Sequence, residues 1–346
     1  ILKYNDNKIK EIQKPNTILL NTVSIIFIIS SLAQFPTIIS NFSNSIINLL
    51  INESGGQELY NEAMSNSYET GGGISNLSAI FSGAFSNIGI LLLFYYLTLK
   101  KYNKLILIGL LLSCIAILLS YITLGQRGLI MELVFSMIIT YFALKKFFQP
   151  KIKKIMKIVG VFLLIVTAVP TIALTNSRFG DTVGGSQSSV YFYVGQAPLY
   201  FNNYGLDNGG IRYGDRTFPL FKRMLGIDNV PNNFWDRREK YRNLKINDEV
   251  FTSFVGDFTL DYGPFAATLM FLVFTLFALK ITKIHNRRIL FHQLILLHFV
   301  MCVCFLGGLK LYTFSDVGGN LQLIVYFFIF ILFWFNYDYS RMLRKK

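Results

Sequence analysis

Charge is scarce in this sequence: of its 346 residues only 15% are Asp, Glu, Lys or Arg, while 53% are hydrophobic. Soluble domains carry about a quarter charged residues, so water is not the main solvent of this chain. Cysteine is scarce too. Cys114, Cys302 and Cys304 all fall inside apolar runs, which excludes a disulfide framework and reads as small core residues. There are three histidines, and no Cys or His cluster has zinc-ligand spacing. Neither a G-x-G-x-x-G nor a G-x-x-x-x-G-K-S/T string occurs, so nucleotide-driven chemistry has no support and no cofactor is expected. The first residue is Ile1 rather than Met, so an upstream segment is expected to be missing and span counts are minimum counts.

Long apolar runs are plentiful. A helix needs about 20 mostly apolar residues to cross the hydrocarbon core. Eight such runs lie near Thr17 to Phe35, Leu77 to Leu99, Leu105 to Leu124, Leu129 to Leu144, Ile155 to Leu174, Pro264 to Ile281, Ile289 to Leu309 and Leu321 to Phe335. The fourth is short. Expected is an all-α polytopic membrane protein with at least eight transmembrane helices, 1–346 forming a single membrane domain. Every second connection is basic, and alternate loops with the N-terminal segment hold 21 of the 33 Lys and Arg residues. The positive-inside rule then puts both termini in the cytoplasm and two long connections, about 36–76 and 175–252, outside. Cytoplasmic anchoring residues supply most of the net charge of +14, so no nucleic acid is needed to explain it.

The two cations are sorted unequally. Cytoplasmic segments hold 17 of 21 lysines but 4 of 12 arginines. Arg127, Arg178, Arg212, Arg216, Arg223, Arg237, Arg238 and Arg242 fall outside, where orientation requires no positive charge. Arginine is the planar, bidentate cation suited to phosphate and carboxylate. The competing explanation is pairing with the loop acids, and the sign alternation of WDRREKYR fits that for Arg237, Arg238 and Arg242. Arg127 differs, because it sits in a two-glycine break between apolar helices with no acid before Glu132. Ionisable residues at membrane depth mark functional sites by default. Arg178 follows the end of the fifth span.

The outer loop is rich in aromatics over 188–207 and 218–235, which serve as interfacial anchors or as stacking platforms. It is too long for a plain connector and is expected to form short helices on the membrane. Next comes FTSFVGDFTLDYGP. Asp257 and Asp261 are four apart and share a helix face. Helix capping, general-base chemistry and a grip on arginine all remain open for this pair, whereas Asp215 and Glu249 read as solvated.

With those elements in view, the chain resembles the bacterial Wzy-type O-antigen and capsule polymerases, which join oligosaccharide repeat units. GQRGLIMEL looks like the family's G-S-R-G before an apolar helix. VYFYVGQAPLYFNNYGLD looks like its aromatic element, GDRTFPLFKRMLG like its T-F-x-P-L-x-R segment, and DEVFTSFVGDFTLDYGPF like its V-x-T-x-F and D-F/Y-G run. Order and spacing match over about 124–279, with departures at Gln126, Gln196 and Asn202. The resemblance implies a membrane glycosyltransferase of the C-type class in the bacterial cytoplasmic membrane, its active site facing the exterior. It implies undecaprenyl diphosphate-linked oligosaccharides as substrates, and a chain-length regulator and a flippase as candidate partners. The excess of outer arginine together with the motif matches assigns Arg127, Arg178, Arg212, Arg216 and Arg223 to the diphosphate, and Asp257 or Asp261, at a helix start, is the candidate for acid–base work. Tyr191, Tyr193, Tyr200 and Tyr262 are the candidates for sugar or lipid contact. Two rivals remain. An O-antigen ligase-like transferase would use the same donor, but such enzymes lean on a loop histidine, and His285, His292 and His298 all lie in or beside the seventh span. A transporter or flippase would use Arg127 and Lys310 as intramembrane contacts, but no internal repeat is visible.

Overall fold

The computed structural model describes residues 9–51, 58, 74–179, 185–246, 250, 252–282, 288–309 and 311–343. The chain divides into two compact units, Ile18–Val190 and a second made of Ile1–Thr17 with Tyr191–Lys346.

The first unit is helical. It contains α1 (Thr17–Leu32), α2 (Phe35–Ile51), α3 (Ile74–Thr98), α4 (Lys104–Thr123), α5 (Arg127–Leu144) and α6 (Pro150–Phe179). The Asn103 side chain starts α4 by accepting a 2.9 Å hydrogen bond from the Leu105 amide, taking up one of the donors that a helix start leaves unpaired. Helix α4 packs on α2, α3 and α5, and α6 packs on α5. Lipid tails are as apolar as leucine, so packing and polar contacts must join these helices. Tyr96 Oη donates to Asn21 Oδ1 at 2.6 Å, Ser82 Oγ to Ser31 Oγ at 3.2 Å, and Ser136 Oγ to Asn87 Oδ1 at 2.8 Å.

The second unit holds β1 (Glu11–Ile12), most of α7 (Gly185–Tyr204), α8 (Pro219–Met224), α9 (Phe234–Lys240), α10 (Ser253–Thr282), β2 (Arg288–Ile289), α11 (Phe291–Leu309) and α12 (Asp316–Leu343). Helix α11 packs against both α10 and α12, while α8 packs against α12. The β strands are two residues each and pair in parallel, with Glu11 ion-paired to Arg288. This ladder ties the N-terminal segment to the connection after α10. Both were expected on one side of the membrane.

Among the described residues, six helices are long and apolar enough to cross a membrane: Thr17–Phe42, Leu77–Thr98, Lys104–Thr123, Ser253–Lys280, Phe291–Gly308 and Asp316–Tyr337. The protein is an all-α polytopic membrane protein. The expected fourth span falls on the shorter apolar helix Gly128–Leu144, and the expected fifth lies within α6, whose last turns are only partly described. Two boundaries moved. The sixth span begins eleven residues before Pro264, because α10 continues through a kink at Gly263 (φ 79°, ψ 163°). Proline disfavours the helical conformation in the residue before it, and glycine alone adopts this φ and ψ without strain. The first long connection is helical up to Ile51 as α2, and most of its remainder lies outside the described residues.

Leu206 is 70% exposed on the long loop, and Gln149 is exposed on the basic connection after α5. A cysteine at Leu206 should react with a membrane-impermeant thiol reagent in intact cells, and one at Gln149 should stay unlabelled. The opposite pattern would invert the topology.

Candidate functional site

At the ends of α10 and α12 where those helices begin, four ionised side chains meet out of contact with water. Arg212, Asp257 and Asp261 are 0% exposed and Arg216 is 5%. The α10 heptad-like spacing puts Asp257 and Asp261 on one face, one turn apart. Arg212 Nε lies 2.7 Å from Asp261 Oδ1, and Arg212 Nη2 lies 3.5 Å from Asp257 Oδ1. Arg216 Nε lies 3.4 Å from that same Asp257 oxygen. These contacts are ionic: Arg212 Nε, Arg216 Nε and the two Oδ1 atoms are not aligned for hydrogen bonds to one another.

Desolvation costs several kcal/mol per buried ion, and attraction alone does not repay it without further hydrogen bonds. Here the second oxygen of each carboxylate supplies them. Asp257 Oδ2 accepts from the Tyr312 amide at 2.7 Å. Asp261 Oδ2 accepts from the Thr217 amide and hydroxyl, both at 2.8 Å, and from the Arg216 amide at 3.3 Å. Two cations and two anions leave this quartet neutral. Phe218, Phe258 and Tyr312 form an aromatic wall beside it, with Phe258 and Tyr312 crossing edge to face at 5.0 Å. Neither aspartate caps its helix, since α10 starts at Ser253 and both carboxylates reach outward to other segments.

A second carboxylate centre adjoins the first through the same loop. Asp215 was expected to be solvated, and the structure corrects this: it is fully buried. Lys222 Nζ pairs with its Oδ1, while Lys240 Nζ and Tyr241 Oη each lie 2.7 Å from its Oδ2. Burial favours the neutral acid, but the hydrogen bonds from Lys222, Lys240 and Tyr241 together outweigh it and hold Asp215 below the ordinary carboxylate range. Burial and then Asp215 itself push the Tyr241 phenol upward, so that group stays protonated as a donor.

The backbone here is unusual. Tyr213 (φ 54°), Gly214 (φ 78°) and Asp316 (φ 58°) are left-handed, a region that costs non-glycine residues about 1–3 kcal/mol and clusters at functional sites. Gly214 is required twice over, because a Cβ there would lie 2.4 Å from the Tyr262 hydroxyl. The start of α12 holds the loop in place. The Asp316 amide donates to Arg216 O at 2.9 Å, and Arg237 Nη1 reaches Asp316 Oδ1 at 2.5 Å. Asn320, fully buried, donates to Thr217 O and Phe314 O at 2.8 Å each and accepts from the Leu220 amide at 3.1 Å.

The structure therefore brings Arg212, Arg216, Asp257, Asp261 and Tyr262 together. Tyr262 is half-buried, with its hydroxyl 3.0 Å from Thr217 Oγ1. Arg223 is not in the quartet: it is exposed and donates to Pro231 O at 2.5 Å. Tyr191 is exposed, and Tyr200 is half-buried with its ring 6.4 Å from that of Tyr204. Arg127 opens α5, Arg178 lies in the last turn of α6 and Tyr193 lies in α7, but their side chains are outside the described residues. The pairing expected for Arg237, Arg238 and Arg242 divides three ways. Arg242 pairs with Glu239 on the surface, Arg238 lies over the Phe234 and Trp235 rings, and Arg237 is buried against Asp316, which lies beyond the loop. Thr217, Tyr241, Tyr312, Asp316 and Asn320 were not foreseen. Asp316 just before an apolar run and Asn320 within it carried the usable signal, as polar residues at membrane depth seldom lack a role. Among the described residues no group of His, Cys, Asp and Glu could hold a metal ion.

Because the folded state favours ionised Asp215, its stabilisation is present above the unfolded value near pH 4 and is lost as the pH falls through the lowered folded value. Protection of 207–246 from hydrogen exchange, taken relative to the intrinsic rate, should fall below about pH 4, and Asp215→Asn should remove that acid limb while lowering protection at neutral pH. An acid limb unchanged in Asp215→Asn would assign it to another group. No protein-family model, curated protein or solved structure matches this chain.

Proposed function

We propose that the chain is a membrane glycosyltransferase that polymerises undecaprenyl diphosphate-linked oligosaccharide repeat units on the outer face of the bacterial cytoplasmic membrane, with at least eight spans. The observation that carries the reading is the quartet: Arg216 from the T-F-x-P-L-x-R-like segment and Arg212 just before it, gathered on two carboxylates from the D-F/Y-G-like run, at the mouth of membrane-spanning helices. In the reaction, an acceptor hydroxyl oxygen attacks the anomeric carbon of the donor glycan. The bond from that carbon to the diphosphate oxygen breaks, its electron pair leaves with undecaprenyl diphosphate, and the acceptor proton passes to a base. The donor is already activated, so neither ATP nor a nucleotide sugar is consumed.

Arg216, nearest the surface of the four, is assigned to the departing diphosphate, where a preorganised guanidinium in a dry site stabilises developing charge. Arg212 positions both carboxylates. Arg127 and Arg178 are assigned to the same ligand on their places in the sequence and the motif matches, whereas Arg223, turned to Pro231 O, stands apart from it. Asp257 and Asp261 are too buried to touch an acceptor directly, so the proton needs a path. Thr217 commits its single proton to Asp261, so Tyr262 must donate to Thr217. The Tyr262 oxygen is then left with a lone pair for an incoming hydroxyl proton, and Asp261 is the terminal base of that relay.

Incubation of purified protein with lipid-linked repeat units should give a ladder of products. Tyr262→Phe keeps the ring and removes the relay, and it should cut turnover by about a hundredfold or more, within the range of general-base contributions. Arg216→Lys keeps the charge, loses the bidentate fork and should also be slow. A single transfer to a foreign acceptor would mark a ligase instead, and vesicle transport without bond formation a carrier.

A further inference from the structure

The long loop carries an apolar tip that nothing in its own unit covers. Met224 is 69% exposed, Leu225 78%, Ile227 46% and Trp235 48%. A floppy loop would bury such side chains in passing, but this one is shaped to display them. Helix α8 ends in a Schellman motif: the Ile227 amide donates to Lys222 O and the Gly226 amide to Arg223 O, both at 3.0 Å, with Gly226 left-handed at φ 70°. Arg223 then clamps the far side of the tip through Pro231 O, and Lys240 does the same through Asn229 O at 2.6 Å.

The depth of the tip follows from its root. The Leu220 amide is bonded to Asn320 in the second turn of α12, inside the span Asp316–Tyr337. At a rise of about 1.5 Å per residue, Asn320 lies about 6 Å below the start of that span, and Leu225 is about 8 Å along the chain from Leu220. With α8 directed outward or along the surface, the tip stands between about 2 Å above and about 6 Å below the start of that span, at the boundary of hydrocarbon and headgroups. Charge agrees with position. Of the six cations over 218–242, Lys222 and Lys240 are held by Asp215, Arg237 by Asp316 and Arg242 by Glu239, whereas Arg223 beside the tip spends its hydrogen bond on a neutral carbonyl.

We propose that the loop tip at 224–227 is a membrane-seating element: Met224, Leu225 and Ile227 enter the headgroup–acyl boundary of the leaflet at the α12 entrance, and Arg223 holds an anionic headgroup beside them. Apolar side chains with basic neighbours bind such boundaries in this way. The occupant is the bilayer itself, and the loop with its buried quartet is thereby held at a set height over the spans.

The full chain with Cys304→Ser and a single added cysteine, Leu225→Cys or Glu239→Cys, would be labelled with an environment-sensitive fluorophore and placed in lipid nanodiscs containing phosphatidylglycerol. The label at 225 should emit to the blue and be quenched by lipids spin-labelled near the headgroup about threefold more strongly than the label at 239. Equal quenching at both positions, or water-like emission at 225, would overturn the proposal. A blue shift that vanishes on dilution to one chain per disc would assign the tip to protein contact and also overturn it. Removing phosphatidylglycerol should weaken the quenching at 225, and no change would refute the role given to Arg223.

Discussion

Two positive and two negative side chains buried together are tolerable only as a set, and most of the second unit is arranged around that fact. Removing any one member of the Arg212, Arg216, Asp257 and Asp261 quartet leaves an uncompensated charge in a dry site, a change that costs about 3–5 kcal/mol for a typical buried pair. The spare carboxylate oxygens are taken up by Thr217 and Tyr312, which fixes the loop before α8 and the turn before α12 to the face of α10. The left-handed residues 213, 214 and 316 and the kink at Gly263 then follow as the backbone geometry needed for these segments to reach the same carboxylates.

The arrangement also explains how a loop of this length remains ordered without a core of its own. The ionic quartet, the Arg237–Asp316 pair and the neutral clasp of Asn320 attach it to α10 and α12, and the Asp215 centre with its two lysines and Tyr241 ties it together internally. The Asp215 centre carries an excess of cation from Lys222 and Lys240, a bias suited to an anionic ligand or headgroup nearby.

Membrane helices were the most legible part of the sequence, because 20-residue apolar runs and basic loops act through composition alone. Boundaries were less so: the sixth span was expected from Pro264 with a helix start carrying Asp257 and Asp261 ahead of it, and the structure joins the two in one helix kinked at Gly263. Within the site, the i, i+4 spacing of Asp257 and Asp261 announced a shared face, and the excess of outer arginine announced its partners. Asp215 was misread as solvated because its donors lie seven, 25 and 26 residues away, and nothing local signals a contact at that range. Asn320 was missed for a related reason, as it holds the loop across 103 residues of sequence.

The measurement that reaches the centre of this account is a double-mutant cycle on Arg212 and Asp261, read by thermal unfolding of the full chain in detergent. Arg212→Met and Asp261→Leu alone should each destabilise the protein strongly, because each strands a buried charge. Together they should recover most of that loss, since a pair of apolar residues leaves fewer unpaired charges behind. Single losses that merely add in the double variant would contradict the account, and the quartet would then not be what holds the loop to the spans.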